Sequence, residues 1–132
     1  MKTSKYLTTI CLILGTMLPL IVDTGHTHLL NPDWDAHSRV HEVWRLSTNI
    51  LIAGIGLYLL WVSNYLLLPA LLSSCIVLGF FSAIFTMSLY GGVTIGEGIE
   101  EPNPFGIPAN IFVFIIIGII QSVSFIFLFK NR

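Results

Sequence analysis

The chain has 132 residues, 55% of them hydrophobic and only 10% charged, with a formal net charge of −1. An ordinary soluble domain carries about 25% charged residues, so these side chains could not cover a water-soluble surface. That excludes a soluble globular enzyme, a disordered tail and, with no basic excess, a nucleic-acid binder; the partner to expect is the lipid bilayer.

Asp, Glu, Lys and Arg are absent from residues 6–22, 46–96 and 102–129. A membrane-spanning helix needs about 20 mainly apolar residues. The first and third runs hold one such helix each, and the middle run holds two. The first run, preceded by Met1–Lys5, resembles a signal peptide. It lacks an A-x-A site, Val22-Asp23-Thr24-Gly25 standing there instead, so it is expected to stay as a first span. In the middle run Ser63-Asn64-Tyr65 breaks the apolar pattern, and Pro69 follows at a place suited to a first helical turn. Helices are therefore predicted at about 5–23, 38–62, 67–91 and 107–129. Backbone groups in lipid must be satisfied within the segment, and no alternating pattern suggests a barrel. The expected fold is all-α: one integral membrane domain over residues 1–132, a four-helix transmembrane bundle with up-down topology.

With four spans both chain ends share one side. Lys2, Lys5, Lys130 and Arg132 gather there, four of the six basic residues, and the positive-inside rule predicts both termini in the cytoplasm. Two connections then face the other way, residues 23–37 and 92–106. All seven acidic residues and all four histidines lie in them or in the adjoining start of helix 2. Polar outer loops are ordinary, and this accounts for Glu100 and Glu101. It accounts less well for histidine, which occurs nowhere else in the chain.

His37 and His41 stand four residues apart, which on a helix places both imidazoles on one face. The face continues through Trp44 or Arg45 to Thr48. Such a polar stripe is costly against lipid and is expected to face the bundle interior or the interface. Asp35 is placed to cap the helix. Arg45 is expected to pair with Glu97 or Asp35, or to reach the head-group region. Three uses fit the segment. Histidine beside carboxylate can move protons, with His37, His41 and Asp23 as the catalytic candidates. An i,i+4 pair can supply ligands to a divalent transition metal, with His28, His37, His41 and Glu97 as the metal candidates and Asp23 as an alternative third ligand. The cluster can also bind a polar head group. The plain structural alternative is a pair of interfacial histidines bonded to loop carbonyls or Asp. No HExxH is present, because Val43-Trp44-Arg45 follows His41-Glu42.

Asp23, Thr27-His28, Asn31-Pro32, Trp34, His37, Arg39 and His41, in that order and spacing, resemble the signature of a family of small four-helix membrane proteins of unknown function. Some members of that family are labelled acetyltransferase-like. Ser38 stands where many of them have alanine. The resemblance implies that Asp23, His28, Asn31, His37 and His41 form a site, and it names no substrate. The chain itself carries no phosphate cradle for coenzyme A.

Cys11 and Cys75 fall within predicted spans and read as packing residues, without metal-thiolate spacing. Ser73, Ser74, Ser82, Thr86 and Ser88 in helix 3 read as helix-packing residues, as does Gly118 with Ser122. Gln121 is expected to bond a neighbouring helix. The glycine-rich 92–106 connection is expected to bring Glu97 toward His37 and His41. The function that follows is a small membrane enzyme or metal-dependent binder of a lipid-like molecule, with a homo-oligomer allowed. The alternative is a non-catalytic scaffold or helper subunit whose histidine segment is structural. A channel or transporter has least support, since no charge lies deep in a span.

Overall fold

The computed structural model describes residues 2–95, 100 and 102–130. It contains α1 (Lys2–Asp23), α2 (Ala36–Trp61), α3 (Leu67–Thr86) and α4 (Ala109–Lys130), with single 3₁₀ turns at Met87–Leu89 and Pro104–Gly106. All four helices are long and apolar enough to cross a membrane. The protein is thus an all-α, up-down four-helix bundle of the integral membrane class, with no strand among the described residues.

The helix ends follow local chemistry. Asn64 takes a left-handed backbone conformation, φ 56°, in the reversal between α2 and α3. The helix expected to reach residue 91 stops at Thr86. Its last turn tightens into the 3₁₀ form, and Gly91, at φ 70°, turns the chain away. Pro108 stands just outside α4 rather than in its first turn. There its carbonyl accepts the Phe112 N–H at 2.9 Å, and its missing N–H costs nothing.

α1 packs most extensively against α4, also lies against α2, and meets α3 across the short diagonal. Glycine permits two of these approaches. A Cβ on Gly56 would come within 2.9 Å of the Leu12 side chain, and one on Gly15 within 3.3 Å of Ile76. Leu12, Ala53 and Ile76 form one buried cluster, and Cys11, Val77 and Ile117 another. Cys75 is exposed on the bundle surface.

Polar groups join the helices inside the bundle. Ser124 Oγ lies 3.1 Å from Ser4 Oγ and 2.9 Å from Thr8 Oγ1, and donates to the Ser4 carbonyl at 3.0 Å. Gln121 Nε2 donates to the Ala70 carbonyl at 3.3 Å, which meets the expectation of a bond to a neighbouring helix. With no water inside lipid, such bonds between helices satisfy groups that would otherwise be costly.

Candidate functional site

The connection between α1 and α2 is a series of short turns. The N–H of His28 bonds the Gly25 carbonyl, that of Leu29 the Asp23 carbonyl, and that of Asn31 the His28 carbonyl. Asn31 Oδ1 accepts from the Asp33 N–H at 3.0 Å, a side chain closing its own turn. Asp35 is the N-cap of α2, accepting from the His37 and Ser38 N–H groups at 2.9 and 3.1 Å. Arg39, one turn into α2, reaches back over this loop. Its Nη2 donates to the Asn31 carbonyl at 2.8 Å and to those of Pro32 and Trp34 at 3.4 Å. One guanidinium nitrogen thus gathers three carbonyls of the connection.

Arg45 makes a second tie. It bridges Asp23 at the end of α1 and Glu42 on its own helix, with Nε donating to Glu42 Oε2 at 3.1 Å. The two carboxylates are mostly covered, at 17% and 11% side-chain exposure. The partner of Arg45 is therefore neither Asp35 nor any residue of the 87–108 connection that is described. The i,i+3 spacing of Glu42 and Arg45 was the signal for half of this triad. The Asp23 half needs the fold. His28 completes the group, with Nδ1 3.7 Å from Asp23 Oδ1 and 3.0 Å from Thr27 Oγ1. Its ring stands edge-on to Trp34 at 5.4 Å.

His37 and His41 lie apart from that network. Their Nε2 atoms approach to 3.0 Å with the rings at 89°, and Trp44 stacks beside His41 at 6.0 Å. Both imidazoles are exposed, as are Trp44 and Thr48. Of the two settings expected for the stripe, the bundle interior and the interface, it does not take the first: it faces outward. The cause is the pitch of α2: Leu46, Ala53, Gly56 and Leu60 are its buried residues, and at 3.6 residues per turn positions 37, 41, 44 and 48 fall on the far side. An open cleft of about 460 Å³ borders His41, lined also by Asp33, Trp34, Asp35, Ser38, Glu42 and Arg45.

The candidate residues thus divide into two pairs, Asp23 with His28 and His37 with His41. Among the described residues no group of three His, Cys, Asp or Glu is placed to hold a metal ion. Glu97, the remaining metal candidate, lies outside the described residues, and so does its expected approach to the histidines. Sequence reasoning missed Arg39 as the loop clamp and Glu42 as part of the ionic tie. Chemically, the first pair is held by its neighbours. The second presents two nitrogen donors to an open face.

Comparison with protein-family models, with curated proteins and with solved structures finds no match to this chain.

Proposed function

We propose that this multi-pass membrane protein binds a divalent transition metal through His37 and His41 at the non-cytoplasmic mouth of its bundle. The adjoining cleft receives the polar head of a lipid-like ligand. The observation that carries the reading is the 3.0 Å approach of the two Nε2 atoms on an exposed helix face. Tetrahedral zinc, with Zn–N bonds of about 2.0–2.1 Å, holds two imidazole nitrogens about 3.3 Å apart, so the pair needs only a small spreading to chelate. Imidazole suits zinc, copper and nickel, and two ligands from one chain leave the remaining coordination positions to be filled from outside it. The clustering of Lys2, Lys5 and Lys130 at the opposite end supports cytoplasmic termini. Membership of the small four-helix family that the 23–41 segment resembles is part of the same proposal.

Asp23, His28, Asn31, Arg39 and Arg45 carry a second, structural reading. Each has polar atoms engaged within the connection or its adjoining helices, which suits a clasp tying the loop to α2.

Zinc titration of detergent-purified protein, followed by calorimetry and elemental analysis, tests the first reading. Binding is expected in the unaltered chain and in His28→Ala, and lost in His37→Ala and His41→Ala. It is also expected to weaken on acidification, because protons compete for the same nitrogens. Unchanged binding in both of the latter variants would reject it.

A further inference from the structure

The outward stripe of α2 does not end at Thr48. It runs through His37, His41, Trp44, Thr48, Leu51, Ile55, Tyr58 and Val62, alternating steps of four and three residues along the helix. Every one of these positions is exposed; Trp44, Leu51 and Val62 keep 64–65% of their surface. The steps average about 3.6 residues, the pitch of a straight α-helix, so the stripe stays on one continuous face, a seam that a partner helix could pack against. The seam lies opposite the residues that α2 buries in its own bundle, so a partner could use it without disturbing the fold.

The polar end of the seam indicates which partner. Imidazole both donates and accepts hydrogen bonds, so a histidine pair can meet a copy of itself across a two-fold axis. An isologous contact of that kind repeats the same residues on both sides. The metal reading points the same way. His37 and His41 supply two nitrogens, and no third His, Cys, Asp or Glu joins them among the described residues. A closed tetrahedral site takes four ligands, and a second pair of the same chemistry completes it.

We propose that two copies of the chain pack α2 against α2 along this seam and hold one divalent transition metal between four imidazoles, His37 and His41 of each copy. The proposal rests on the metal reading of those two residues and adds the partner that completes the site. The four-imidazole site lies at the loop end, and Leu51, Ile55, Tyr58 and Val62 form the apolar contact below it.

The test combines zinc titration of the detergent-purified full chain, with its mass measured by light scattering, and cysteine cross-linking in native membranes. One zinc per two chains and a doubling of protein mass are expected, both lost in His37→Ala and retained in His28→Ala. In a Cys75→Ala background, cysteine at Thr48, Leu51 or Ile55 is expected to give a disulfide-linked dimer when zinc is present. Cysteine at Ile119, exposed on α4, is expected to give none. One zinc per chain on a monomer would overturn the dimer and leave the metal reading standing. No zinc bound at all would overturn both. A dimer that neither binds nor needs zinc, or equal cross-linking at Ile119, would overturn the proposal.

Discussion

The connection between α1 and α2 and the first turns of α2 hold two sets of histidine and charge that differ in one respect. Around Asp23 the groups are engaged with one another: Arg45 ties the carboxylate to Glu42, His28 meets Thr27 and Trp34, and Arg39 spans three carbonyls. Around His37 the imidazole nitrogens, among the described residues, meet only each other, on an exposed face. The first region can be removed only at a cost to the fold. The second is expected to be removable at little cost, as the proposed metal site would allow. A residue type named by its chemistry thus takes its role from whether its neighbours leave that chemistry available.

The largest test of the contrast is Arg45→Ala, which strips the shared cation from two mostly covered carboxylates. A loss of about 2 kcal/mol is expected, between the values for exposed and buried pairs, read as a lower Tm in detergent. Arg39→Ala comes next. It removes the one nitrogen that reaches the Asn31, Pro32 and Trp34 carbonyls, and a loss of about 1 kcal/mol is expected, with faster proteolysis of the 24–35 loop as its local signature. Asp35→Ala removes the two cap bonds of α2 and is expected to cost about 1 kcal/mol, again by thermal unfolding. The smallest effect belongs to His41→Ala, whose stability should stay within about 0.5 kcal/mol of the parent while zinc binding disappears. A His41→Ala variant as unstable as Arg45→Ala would erase the distinction between the regions.

The four helices were legible because lipid imposes a length and forbids charge, and both conditions are written into residues 6–22, 46–96 and 102–129. The Asp35 cap and the Gln121 bond were legible for similar reasons, since each residue type has few ways to be satisfied where it stands. The direction of the His37 stripe was not. Period alone says that His37, His41 and Thr48 share a face, but which face turns inward is decided by Leu46, Ala53, Gly56 and Leu60 fitting against other helices, Gly56 against Leu12 among them. Arg45 shows the same limit. Its bond to Glu42 is local and follows from spacing, whereas its bond to Asp23 crosses between elements and exists only once α1 and α2 stand side by side.

The hydroxyl knot formed by Ser4, Thr8 and Ser124 has a bearing on how the molecule is made. Its members are 116 and 120 positions apart, so during synthesis the first helix enters the bilayer long before its companion on the fourth has emerged. Contacts of such long separation form late. The knot is therefore complete only once α4 has docked, and a chain cut short before Ser124 would leave the hydroxyls of α1 without this partner.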